Sequence, residues 1–307
     1  MNRKILLAAA AILVAAPLQA HNAWIKPSTT TVAGEDGWVT FDVAASTDVY
    51  NADHRPMGLN MIKAVAPDGS EAKIENGSTG QLRSTFDLHL TQQGTWQIGT
   101  ESVSVSGSYK LGDQEYRVGG RGGPPPGAQG GPGAPGAAPG GPGGPGAPGG
   151  PGGPGGAGNA MMVPATADFT PPEGATDIKL NATSNRNFVF VTLGMPSDLR
   201  LSGTGLEMEP VTHPADLIAG EPATFRFLVD GKPAAGIEVE ATPDGRRFRD
   251  DQGTITVTTD AKGEAVLDWP AAGLYWVHAS FSDETSPRPG ITGRRFQYTA
   301  NVEVMAP

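Results

Sequence analysis

The stretch Phe296-Gln297-Tyr298-Thr299-Ala300-Asn301-Val302-Glu303-Val304 places an apolar side chain at every second position. A period of two belongs to a β-strand with one face in a core and the other outside it. Working outward, the same alternation recurs at Phe225, Phe227 and Val229, at Phe86, Leu88 and Leu90, and at Val39, Phe41 and Val43. Turn formers stand between such runs: Pro67-Asp68-Gly69, Asp230-Gly231, Pro243-Asp244-Gly245 and Asp260-Ala261-Lys262-Gly263. These residues supply the positive φ angles and side-chain hydrogen bonds that reverse a chain. No segment beyond residue 20 keeps a 3.6-residue apolar period. The expected fold class is therefore all-β, built from antiparallel sandwiches.

The spacing divides into two domains. Residues 211–307 carry runs near 223–229, 236–241, 254–259, 264–269, 273–281 and 295–304, which fits an immunoglobulin-like or prealbumin-like sandwich. Residues 21–210 carry runs near 38–44, 59–66, 84–90, 95–100, 102–111, 177–182 and 187–193, a second sandwich. Between 119 and 159 lie 41 residues holding 21 of the chain's 44 Gly and 11 of its 28 Pro. Because the strand-like Phe188-Val189-Phe190-Val191 follows it, this tract reads as a disordered insertion within the first domain. Glycine falls at every third position from Gly140 to Gly158, as in collagen. Glycine in the first variable position loosens a triple helix, and the runs are short, so a flexible spacer is the better reading.

Residues 1–20 read as an export signal. Arg3 and Lys4 precede twelve unbroken apolar residues from Ile5 to Ala16, too few to span a bilayer. Pro17 disfavours a cut after Ala16. A cut after Ala20 makes His21 the mature N-terminus and sends the product, soluble, to the periplasm. The formal charge is −10, and without the leader 20 basic face 32 acidic side chains, a net of −12. That sign repels phosphate backbones and argues against a nucleic-acid partner. The absence of Cys excludes disulfides, thiolate metal sites and thiol catalysis.

An N-terminal His offers two nitrogens from one residue, its α-amine and ring Nδ1, which close a six-membered chelate. The amine's ordinary pKa of about 7.7–8 lets a divalent metal displace its proton near neutrality. One further imidazole would make a three-nitrogen site suited to Ni(II) or Cu(II). His54 ranks first as that partner, in the loop Ala52-Asp53-His54-Arg55-Pro56-Met57 with a carboxylate and a thioether beside it. His278 follows, on a strand face with Leu274 and Trp276, together with His89, on a polar strand face with Asp87 and Thr91. His213, before Pro214, ranks last and suits a hinge. Two basic clusters, Arg246-Arg247-Phe248-Arg249 and Arg294-Arg295-Phe296, suggest local pairing with Asp250 and Asp251 ahead of a grip on a carboxylate ligand. There is no G-x-S-x-G, P-loop or H-E-x-x-H motif, and an enzyme is not supported.

Taken together, several segments resemble one family. They are His21-Asn22-Ala23-Trp24-Ile25-Lys26-Pro27-Ser28, Ala52-Asp53-His54-Arg55-Pro56, Thr212-His213-Pro214-Ala215-Asp216-Leu217 with Ala219-Gly220-Glu221-Pro222, and Asp230-Gly231-Lys232-Pro233. Thr259-Asp260 with Gly263, and Trp269-Pro270 with Gly273-Leu274-Tyr275-Trp276, continue the pattern. The combination is similar to the bacterial family called domain of unknown function 4198. The resemblance implies an exported β-rich protein of the group once described as a NikM-type nickel-transport component and linked to TonB-dependent metal uptake.

Three functions are consistent with these readings. The leading one is a periplasmic Ni- or Cu-binding accessory protein that uses His21 and serves an envelope uptake system, a TonB-dependent receptor or transporter. The alternative is a metal-free, Ig-like interaction or adhesion module of the cell envelope. The third is a copper oxygenase built on the N-terminal His, which would need a second His poised opposite His21 and exposed aromatics around the metal.

Overall fold

A computed structural model describes residues 22–119, 160–164 and 166–307. The leader 1–20, the candidate ligand His21 and residues 120–159 of the Gly/Pro tract lie outside the described residues. Among the described residues, twenty strands form three sheets. The front sheet holds β1 (Asn22–Pro27), β3 (Gly37–Ser46), β4 (Arg55–Pro56), β7 (Glu75–Thr79) and β8 (Ser84–Leu90). The back sheet holds β13 (Leu206–Pro210), β14 (Pro222–Val229), β15 (Lys232–Pro233) and β18 (Glu264–Asp268). The central sheet takes the other eleven. They are β2 (Thr31–Val32), β5 (Lys63–Val65), β6 (Glu71–Ala72), β9 (Gly94–Leu111), β10 (Gln114–Val118), β11 (Met161–Val163), β12 (Thr176–Leu193), β16 (Glu238–Pro243), β17 (Ile255–Thr258), β19 (Gly273–Asp283) and β20 (Gly293–Val304). Helical structure among the described residues is confined to three single 3-10 turns. The protein is all-β.

The period-two runs form strands whose apolar members are buried. Val39, Phe41 and Val43 on β3 face Phe86, Leu88 and Leu90 on β8, and Phe41 stacks on Phe86 at 4.8 Å. Alternation along β12 then does something a two-sided sandwich does not require. Its odd-numbered Val189, Val191 and Leu193 enter the core beneath the front sheet, while Phe188 and Phe190 enter the core over the back sheet. One strand is thus buried on both faces, which explains the unbroken apolar run from Phe188 to Val191. The front and back sheets lie on opposite sides of the central sheet, offset along its order β11-β10-β9-β12-β20-β19-β16-β17.

Two details differ from the sequence expectation. The paired runs 95–100 with 102–111, and 177–182 with 187–193, are each one eighteen-residue strand, β9 and β12. They pair almost end to end, and the polar step that breaks the apolar pattern is spanned by an ion pair between Arg186 Nε and Glu101 at 3.0 Å. Strands β1, β7, β10 and β13 carry weak or no alternation and become legible only through their partners. The Gly/Pro tract leaves from β10 and returns as β11, and these two pair in parallel, Tyr116 against Met161 and Val118 against Val163.

Candidate functional site

The front sheet ends at β1, so among the described residues one edge of β1 has no strand beside it. An unpaired edge beneath a second sheet would strand backbone groups, and here side chains of the central sheet satisfy them. The carbonyl of Ala23 accepts from Asn187 Nδ2 and from Trp276 Nε1, each at 2.9 Å. The amide of Ile25 donates to Asn301 Oδ1 at 3.3 Å. Asn301, fully buried, also accepts from the Tyr50 hydroxyl at 3.1 Å and donates to Asn187 Oδ1 at 2.7 Å and the Phe188 carbonyl at 2.9 Å. Further along, Thr30 donates twice to Glu303. The start of β1 is therefore pinned onto β12, β19 and β20.

Just beyond that edge the side chains of the central sheet turn polar, and Thr100, Asn187 and Thr299 among them are buried. Register aligns Thr100, Asn187, Thr299, His278, Glu240 and Thr256 in one row across β9, β12, β20, β19, β16 and β17. His278 stacks on Trp276 at 4.8 Å, with 11° between the ring planes. Its Nδ1 lies 3.3 Å from Thr299 Oγ1, which leaves Nε2 as the nitrogen not engaged by the sheet. Burial lowers the imidazole pKa to about 4, so the ring is neutral and able to coordinate near pH 7. Glu240, across from it on β16, has its carboxyl raised by burial first and by Glu238 second.

His278 and Trp276 line two cavities. One, of about 270 Å³, is walled by Asn22, Thr47, Asp48, Glu240 and Arg246. The other, of about 380 Å³, is walled by Ala23, Arg55, Met57, Met61, Asn187 and Thr299. Asn22 and Ala23, the first described residues, thus each share a cavity lining with His278.

The other histidines are placed elsewhere. His54 is exposed; the next residue, Arg55, pairs with Ala45, which pairs in turn with Ala23. His89 lies on the outer face of the front sheet, stacked on the half-exposed Trp38 at 4.4 Å and 2.8 Å from Asp36. His213 caps a 3-10 turn: Nδ1 accepts from the Ala215 amide at 3.0 Å, so Nε2 carries the proton and donates to the Ser197 carbonyl at 3.1 Å. Among the described residues, no three His, Asp or Glu side chains gather as a metal site.

The basic clusters correct the expectation of pairing with Asp250 and Asp251. Arg249 donates to the carbonyls of Asp244, Pro243 and Gln252, and Arg246 to that of Arg249, so both hold their own loop. Arg294 bonds Asp283 at 2.6 Å and Asp230 at 2.7 Å, which holds both carboxyls below the usual range. Sequence reasoning missed Asn187, Glu240 and Asn301. The available signal was an amide set inside an apolar run, as Asn301 sits between Ala300 and Val302.

A family model described as Domain of unknown function (DUF4198) matches residues 18–283. No curated protein matches. Among solved structures, the "D0-D1 domain of Intimin" aligns over 92% of this chain and 97% of its own, at 13% identity and a TM-score of 0.20, too loose a superposition to carry a structural argument. No helix among the described residues is long and apolar enough to cross a membrane.

Proposed function

We propose that this chain, which belongs to the family of domain of unknown function 4198, is a periplasmic metal-binding accessory protein that takes Ni(II) or Cu(II) at the junction of β1 and β19. The observation that carries the reading is that Asn22 and His278 line the same cavity. His21 is one peptide before Asn22, so its Cα is about 3.8 Å from that of Asn22. Its α-amine and Nδ1, with Nε2 of His278, make the three-nitrogen set that Ni(II) and Cu(II) accept in planar or tetragonal geometry. The buried amides that pin Ala23 and Ile25 fix where the ligands begin. Thr299, on the other nitrogen of His278, orients its ring, the usual task of an outer partner at a metal ligand. His278 therefore suits the second position better than the exposed His54. A metal held this way is handed on or buffered beside an envelope uptake system, with no redox step required.

The test is calorimetric titration of Ni(II) and Cu(II) into the chain beginning at His21. Two comparisons accompany it: the same chain with one residue added before His21, and His278→Ala. One-to-one binding weakened about tenfold or more, at least 1.4 kcal/mol, in both variants is the expected result. Equal binding in all three proteins would overturn the assignment and leave the metal-free interaction module as the working function.

A further inference from the structure

A separate recess opens between the edge of the front sheet and the β16–β17 connection. It encloses about 450 Å³ and is lined by Lys26, Arg83, Arg246 and Arg247, with Asp244 as the single carboxylate among its lining residues. In a chain of net charge −10, four cations against one carboxylate is a local reversal of sign.

The recess is rigidly built. Lys26 pairs with Asp244 at 2.7 Å and so ties β1 to the loop that carries the arginines. That loop turns at Gly245, whose φ of 85° suits glycine, and the donors of Arg249 and Arg246 on its own carbonyls hold it together. Two cations keep most of their donors uncommitted. Arg83 meets Asp42 only through Nε, at 3.2 Å, and the Arg247 guanidinium lies over the Phe248 ring at 4.7 Å. Phe248 is 78% exposed, the most exposed aromatic among the described residues.

We propose that this recess binds a small polycarboxylate anion. Arg83 and Arg247 take the carboxylates, since a guanidinium fork matches a carboxylate in two parallel hydrogen bonds. Lys26 adds charge, and the Phe248 ring covers the carbon skeleton. The volume and the aromatic cover suit a carbon-bearing polyanion better than a lone phosphate. Val49 and Arg246 line both this recess and the cavity of His278. A metal-chelating polycarboxylate would therefore sit with its metal next to His278, and that consequence alone rests on the metal reading.

The experiment is calorimetric titration of citrate into the metal-free chain beginning at His21, at about 20 and about 150 mM salt. Parallel arms use inorganic phosphate and a hexaglutamate peptide. The variants are the double substitution Arg83→Ala with Arg247→Ala, both exposed, together with Phe248→Ala; thermal unfolding confirms that each is folded. Expected are one-to-one citrate binding that weakens with salt, and an affinity loss of about tenfold in the double variant and about threefold in Phe248→Ala. The proposal is overturned by no citrate binding to the parent, by undiminished binding to the double variant, or by tighter binding of phosphate or hexaglutamate than of citrate. Since no metal is present, failure of the metal reading leaves this outcome untouched.

Discussion

The indole Nε1 of Trp276 donates to the carbonyl of Ala23 at 2.9 Å, joining residues 253 positions apart in the chain. Trp276 is two residues before His278, and Ala23 two residues after His21, so this bond sets the spacing of the proposed ligands. Trp276→Phe keeps much of the ring and removes the donor, while Asn187 still serves the carbonyl. We expect a loss of about 1 kcal/mol in urea unfolding, and weaker Ni(II) and Cu(II) binding than that loss alone would produce.

Asn301 has the opposite profile, with every polar atom used and nothing exposed. Asn301→Leu strands the Ile25 amide, the Tyr50 hydroxyl, the Asn187 side-chain oxygen and the Phe188 carbonyl. Buried polar groups left without partners should lower stability by about 3 kcal/mol or more. Asn301→Asp keeps the acceptor, loses both donors and buries a carboxyl whose pKa must rise. Its stability should recover as the pH falls, and chemical denaturation at two pH values checks both variants.

Acid should loosen the parent protein through His278. The folded-state value of about 4 lies below the ordinary 6.5, so the unfolded chain binds the proton more readily between them. The contribution is complete above about pH 6.5 and disappears as the pH falls through 4. It amounts to on the order of 3 kcal/mol at most. Thr299, Trp276 and Glu240 are the groups arranged around the ring. His278→Gln should flatten the stability profile across that window, measured on metal-free protein.

Gly99 on β9 faces Phe188 on β12 at a close approach. A Cβ there would meet the Asn187 carbonyl at 2.0 Å and Phe188 Cδ1 at 2.6 Å. Gly99→Ala must push β9 from β12 where the amides that hold β1 originate. A loss of about 3 kcal/mol in unfolding is expected, together with metal affinity lowered although no ligand is touched.

The strand class was legible wherever one face is buried and the other wetter, as at β3, β8 and β14. It was less legible where that contrast fails. The polar stretch of β12 from Asn181 to Asn187 lies between two long partners and needs no apolar alternation to remain extended. The candidate site was legible only residue by residue. His278 was marked by its company with Trp276, but nothing local reveals that β19 passes the beginning of β1. Pairings between segments more than 250 residues apart leave their trace in three dimensions alone. Arg249 misled for a related reason: its nearest carboxylates in sequence are neighbours, yet the loop turns its donors onto carbonyls.

Strand β20 lies between β12 and β19 and contributes to the core over the back sheet. Residues 293–304 are the last of the central sheet's strands to emerge as the chain is synthesised from its N-terminus. Until they arrive, β12 has β9 alone beside it along Asn181–Val189, and Asn301 is missing from beneath β1. The core over the back sheet therefore cannot close early, whereas the core beneath the front sheet draws its residues from Ile25 to Leu193 and can form before β20 arrives. The core over the back sheet and the candidate site are thus completed last, and that step should be slow because the decisive contacts are remote.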